Sequence, residues 1–249
     1  MIPRVILVSL AAAALLAFLT CVGCTRSPGS RRVDSEVVPP SQIVDFNFLY
    51  SQNCAGCHGA DGKGGAAIAL ANPVYLAIAD DTLIHHTAAK GVPGTSMPAF
   101  AQSAGGMLTD KQIDALVKGI RSWAKPDALG DTTPPPYAAQ TPGDPQHGAE
   151  AYRTYCSSCH GADGRGGSRA SSIVDGSYLA LVSDQQLRTI VIAGRPELGA
   201  PDWRGDVEGR PMSPQDISDV VAWLSSQRPQ FPGQPYASVS TDQANGGPR

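Results

Sequence analysis

The sequence carries no surplus of either charge. Lysine and arginine number 19 against 22 aspartate and glutamate, a formal net charge of -3, so the basic face that attracts phosphate backbones is missing and nucleic-acid binding is set aside. Cysteine is also scarce. Six in 249 residues are too few for a disulfide-dense scaffold, and their clustering rather than their number decides what they do. Nor is the chain short of apolar residues. Glycine (27) and proline (21) are plentiful, but 42% of the residues are hydrophobic, which excludes wholesale disorder and a collagen-like chain. No segment reads convincingly as a strand, and the expected fold class is all-α.

One long apolar run is present. After Arg4, residues Val5 to Cys24 read VILVSLAAAALLAFLTCVGC, with the basic start, Ala/Leu centre and small-residue end of an export signal. The end resembles a bacterial lipobox. Gly23 precedes Cys24, which would become the lipidated first residue of the mature chain, although Cys21 stands where that pattern usually has Leu. The alternatives are an uncleaved helix, since about 20 apolar residues just span a bilayer, and plain cleavage. All three readings place the remainder outside the cytoplasm, and the expected site is the periplasmic side of the cytoplasmic membrane, anchored by a lipid at Cys24. Residues 25–42 are polar and proline-containing, which suits a flexible tether.

Beyond the tether the chain repeats itself. CAGCHGADGKGG from Cys54 returns as CSSCHGADGRGG from Cys156, an offset of 102. VYLAIADD from Val74 returns as SYLALVSD from Ser177 at 103, and TDKQIDALVKGIRSWA from Thr109 aligns with SPQDISDVVAWLSSQR from Ser213 at 104. Two homologous domains over 43–126 and 145–228 follow, joined by a Pro-rich linker (127–144) and trailed by an irregular tail (229–249). Within each, Ile113, Leu116, Val117 and Ile120, and likewise Ile217, Val220, Val221 and Leu224, recur at helical spacing. Thr109 and Ser213 are suitable N-caps for those helices. A shorter helix is expected from Asp80 or Asp81 to Lys90, ending at Gly91, and another from Asp184, ending at Gly194. A further helix precedes each C-x-x-C-H, carrying Phe46, Leu49 and Tyr50, then Ala151, Tyr152 and Tyr155. Such small helical units bury little apolar surface and call for a staple or a large internal ligand.

Cys54-Ala-Gly-Cys57-His58 and Cys156-Ser-Ser-Cys159-His160 have the attachment pattern of c-type haem. Two thiols on one tight turn can form thioethers with both vinyl groups while the adjacent imidazole reaches the iron. A thioredoxin-like site wants a βαβ context that is absent, and a zinc site would need the two pairs to converge from separate domains. A disulfide across two residues would not explain the histidine that follows both times. The glycine-rich stretches after each motif lack the G-K-[ST] ending of a phosphate cradle. Glycines that let backbone pass close to a flat macrocycle explain them better.

Each repeat thus resembles a class I cytochrome c domain, and the whole is similar to the tandem di-haem cytochromes c of bacterial respiratory chains. The resemblance implies two covalently bound haem c groups, on Cys54 and Cys57 and on Cys156 and Cys159, with His58 and His160 as iron ligands. It also implies a distal methionine in a loop like G-x-P-G-T-x-M-P-x-F, which here is Gly91 to Phe100 with Met97 at the ligand position. In the second domain Gly194 to Trp203 aligns without a gap, and Ala200 stands in the place of the methionine. Met212 aligns with Leu108, a core position, so its choices are the core or the iron, the other outcome being an open or water-filled sixth site. His147, at the start of the preceding helix, is a candidate by type but suits a solvated helix start. His85 and His86 read as surface or partly buried side chains. Arg195 reads either as a propionate partner or as an exposed loop arginine. The implied role is that of an electron carrier between redox proteins of a respiratory chain, not an enzyme. The alternatives are a subunit of a larger respiratory oxidoreductase, or an enzyme or sensor using an open second haem.

Overall fold

Each repeat starts where an aspartate caps the chain into a helix. In this computed structural model, which describes residues 38–205, 207 and 209–229, Asp45 Oδ1 accepts from the Phe48 amide at 2.7 Å and opens α1 (Phe46–Asn53). The leader with Cys24, the tether to residue 37 and the tail beyond 229 lie outside the described residues. The first repeat continues through α2 (Ala55–His58), α3 (Pro73–Ile78), α4 (Asp81–Lys90) and α5 (Asp110–Arg121). The second repeats the order with α6 (Pro145–Tyr155), α7 (Ser157–His160), α8 (Gly176–Leu181), α9 (Asp184–Ala193) and α10 (Pro214–Ser226). Among the described residues there is no strand, only isolated bridges such as Arg195 with Ala200. The fold is all-α, as the spacing implies.

The caps explain the boundaries. Thr109 and Ser213 both close capping boxes, with Gln112 and Asp216 returning the bond. Asp80 caps α4, whereas α9 is capped by Ser183, so that Asp184 is its first residue rather than its cap. Gly91 (φ 68°) and Gly194 (φ 63°) stop these two helices in a conformation that suits glycine. The helices α3 and α8 are not marked by a long period. They are set by the side chains of Asn72 and Asp175, which accept from the first free amides.

The first and last helices of each repeat cross, and the crossing is solved in two opposite ways. In the first repeat Phe46 lies on α1 against Gly119 of α5, where an added Cβ would come within 1.9 Å of the ring. In the second repeat the equivalent pair is Gly148 on α6 and Trp223 on α10, and a Cβ on Gly148 would come within 2.0 Å of the Asp219 carbonyl. Large and small have exchanged helices. A tryptophan still meets the buried tyrosine each time: Trp123 against Tyr50 at 5.0 Å edge-on, and Trp223 against Tyr152 at 4.3 Å, stacked. All eight residues of the two helical stripes are buried.

A second device is conserved in its targets rather than its position. Arg121 donates to the carbonyls of Leu76 and Ala79 and pairs with Asp81 at 2.6 Å. Arg228 donates to Leu179 and Val182 and pairs with Asp184, the equivalents of all three. Yet Arg121 aligns with Ser225, so the second arginine acts from nearly one turn further along.

The described residues from 41 to 229 form one compact unit containing both repeats. The segment between them is pinned, not free: Arg188, 2% exposed, donates to the carbonyls of Pro136 and Tyr137. The repeats also touch directly where α3 meets α9. There Asn72, 5% exposed, donates through Nδ2 to the Ala193 carbonyl at 2.8 Å.

Candidate functional site

The two C-x-x-C-H motifs occupy equivalent short turns. In the first, Cys54 is the shared residue between α1 and α2, and its carbonyl accepts from the amides of Cys57 and His58. Cys156 does the same with Cys159 and His160. Both cysteines of each pair therefore sit on one tight turn, as thioether formation with a single macrocycle requires. Burial, helped by the neighbouring Cys57, pushes the Cys54 thiol up to about 11, and Cys156 behaves alike beside Cys159. A redox-active C-x-x-C needs the opposite shift. Nor does any group of His, Cys, Asp or Glu among the described residues have the arrangement of a metal-ion site.

The histidines are oriented by backbone. His58 Nδ1 lies 2.8 Å from the Ile68 carbonyl, so this nitrogen carries the proton and donates. His160 Nδ1 lies at the same 2.8 Å from the Ser171 carbonyl, the equivalent residue at offset 103. In both cases Nε2 is left with its lone pair. For His58 that atom is buried and has no hydrogen-bond partner, which would be costly unless a Lewis acid took the pair. Burial lowers the His58 pKa, the Ile68 carbonyl opposes this, and the charge of Arg195 adds to the lowering. A neutral imidazole is the form that ligates iron. The residues therefore fit a haem.

The loop behind each motif closes tightly. A Cβ on Gly65 would lie 2.2 Å from the Cys57 carbonyl oxygen, and one on Gly59 would lie 1.8 Å from that of Lys63. The tyrosine hydroxyls tie the first helix to the same loop, Tyr50 donating to Gly59 at 2.9 Å and Tyr152 to Gly161. The glycines thus serve close backbone contact rather than phosphate binding.

The distal loops superpose in their hydrogen bonds. The Val92 amide donates to the Met97 carbonyl at 3.0 Å, and Arg195 donates to the Ala200 carbonyl at 2.9 Å. A Cβ on Gly91 would strike Pro98 at 2.6 Å, and one on Gly194 would strike Pro201 at 2.4 Å. Ala200 therefore occupies the place of Met97 in space as well as in the alignment. Met97 is half-buried, with Thr95 Oγ1 accepting from its amide at 3.2 Å. Met212 is 7% exposed within the core, its amide donating to Trp203 as Leu108 donates to Phe100. His147 is exposed in the first turn of α6, and His85 pairs with Asp114 at 3.4 Å on the surface between α4 and α5.

Arg195 is not an exposed loop arginine. Its side chain is 11% exposed, pairs with Glu197 at 2.6 Å and donates through Nη2 to the Gly65 carbonyl of the first repeat at 2.7 Å. Sequence reasoning missed this contact and that of Asn72, because neither is repeated in the other half.

Residues 45–118 and 143–224 match the profile of the family described as cytochrome c oxidase, cbb3-type, subunit III. Among curated proteins the chain is 30% identical over 138 residues to a cbb3-type cytochrome c oxidase subunit CcoP of Azospirillum, covering 51% of this chain and 41% of that one. It is 26% identical over 195 residues to a subunit FixP of Sinorhizobium medicae, covering 67% and 60%. A cytochrome bc1 complex cytochrome c subunit of Mycobacterium bovis is 23% identical over 181 residues, covering 71% and 60%. The matched regions thus span between two fifths and three fifths of these relatives.

Proposed function

The chain belongs to the family of cytochrome c oxidase, cbb3-type, subunit III, with two class I cytochrome c domains, and on that premise we propose that it is a di-haem carrier. It passes electrons between partners of a respiratory chain on the periplasmic face of the cytoplasmic membrane. The observation that carries this reading is the buried, unpartnered Nε2 of His58 beside a C-x-x-C turn, with the same Nδ1-to-carbonyl bond rebuilt at His160.

Haem bound at such sites supplies one-electron exchange between ferric and ferrous iron. The chain does the rest. Cys54, Cys57, Cys156 and Cys159 hold the two groups covalently, and the Ile68 and Ser171 carbonyls fix the tautomer and ring orientation of His58 and His160. Met97 completes the first site. In the second, the Ala200 methyl has no donor atom, and Met212 stays in the core. No group in this scheme handles a substrate. The carboxylates nearest Ala200 in the chain are held by arginines, Glu197 by Arg195 and Asp202 by Arg204 at 2.6 Å each, which disfavours proton chemistry there. Ala200 itself favours a second reading, reversible binding of a small molecule at the second haem. Partners are redox proteins, and the names of the relatives favour a place in a larger respiratory assembly. Attachment is through a lipid at Cys24 or a retained helix; among the described residues no helix is long and apolar enough to cross a membrane.

The test is a redox titration with optical spectra on chain matured in a host competent for cytochrome c, followed by denaturation and acid extraction. Two haems should remain on the polypeptide and titrate reversibly. Recovery of one haem or none would overturn the reading.

A further inference from the structure

Resting on the di-haem reading, we infer that Arg195 is a positioning residue through which the second repeat sets the reduction potential of the first haem. Its backbone belongs to the distal loop of the second repeat, but its guanidinium ends on the first. Nη2 donates to Gly65 at 2.7 Å, and the Gly65 backbone lies directly against the Cys57–His58 peptide, since a Cβ there would fall 2.2 Å from Cys57 oxygen and 2.7 Å from the His58 carbonyl carbon. With the side chain 11% exposed, water screens this charge weakly. The residue aligned with Arg195 in the first repeat is Val92, which carries no charge.

The consequence has a sign. Reduction removes one positive charge from the iron, so a fixed cation nearby favours the ferrous state and raises the potential. Glu197, whose carboxylate lies 2.6 Å from Arg195 Nε, opposes that effect. The two residues therefore form a charged pair whose halves pull the first haem in opposite directions.

The experiment is a spectroelectrochemical titration of Arg195→Gln, Arg195→Lys and Glu197→Gln in the full chain, with haem counted on the same samples. The first haem is assigned by the spectral change that Met97→His produces. At a poise where the first haem of the unaltered chain is half reduced, Arg195→Gln should raise its ferric-to-ferrous ratio about fivefold or more. Glu197→Gln should lower the ratio, and Arg195→Lys should stay near the unaltered value. Shifts of the same sign for Arg195→Gln and Glu197→Gln, no shift in either, or a larger shift at the second haem would overturn the inference. A haem count below two would instead overturn the di-haem reading, and melting curves of each variant show whether the fold is kept.

Discussion

Asn72 Nδ2 donates to the carbonyl of Ala193 at 2.8 Å, while its Oδ1 accepts from the amides of Val74 and Tyr75 at 2.8 and 3.2 Å. One amide side chain thus caps the start of α3 in the first repeat and satisfies the last carbonyl of α9 in the second. The equivalent residue, Asp175, keeps only the first of these tasks.

The chemistry of that bond predicts a specific loss. Asn72→Asp retains the cap but turns an acceptor toward an acceptor in a site that is 5% exposed, and it should destabilise the chain by about 1–3 kcal/mol. Denaturant unfolding measures this. A change within error would mean that the contact between repeats is too open to matter.

The exchanged crossing predicts coupling. Gly119→Ala should be destabilising by about 1–3 kcal/mol because the new methyl meets the Phe46 ring. In a Phe46→Ala background the same change should cost nothing, or add up to about 1 kcal/mol through helix propensity. A double-mutant cycle with zero interaction energy would contradict the contact.

Asp184 predicts an acid-labile link. Burial alone would raise its carboxyl, but the hydroxyl of Ser225 at 2.6 Å and the guanidinium of Arg228 outweigh burial and hold it below its ordinary 3.8. A depressed folded-state value gives stability that is complete above the unfolded value and is lost as pH falls through the folded one. Melting temperature should therefore fall more steeply below about pH 4 in the unaltered chain than in Asp184→Asn. The two curves should converge in acid, and parallel curves would remove Asp184 from the account.

Met97 and Ala200 predict unequal haems. A thioether ligand favours ferrous iron, so the first haem should have the higher potential and the second should bind carbon monoxide or cyanide. Ala200→Met should make the second low-spin and raise its potential. Met212→Leu, a swap within the core costing under about 1.5 kcal/mol, should leave its spectrum alone. A spectrum altered by Met212→Leu would assign the second iron to Met212.

The parts legible in the sequence are those that the repeat states twice. The motifs, the Thr109 and Ser213 caps, Gly91 and Gly194, and the replacement of Met97 by Ala200 all follow from aligning one half on the other. What alignment hides is any contact whose donor has moved. Arg121 and Arg228 bind the same three groups from positions three residues out of register, and Trp123 and Trp223 meet their tyrosines from positions four apart. The helical stripe shows which face is buried, whereas these side chains reach their targets along the axis, where a shift of nearly one turn costs little. Asn72 and Arg195 act between the repeats and have no counterpart to reveal them.

The reversed pairing of Phe46 with Gly119 and of Gly148 with Trp223 also bears on how the two halves can exchange genetic material. Recombination between the duplicated coding segments anywhere between the first and last helices would join Phe46 to Trp223, or Gly148 to Gly119. The first hybrid carries two large rings in one crossing, and the second carries a hole. Each half is thereby matched to its own terminal helix, and a chimera that exchanges only one of the two helices is mispacked at the crossing.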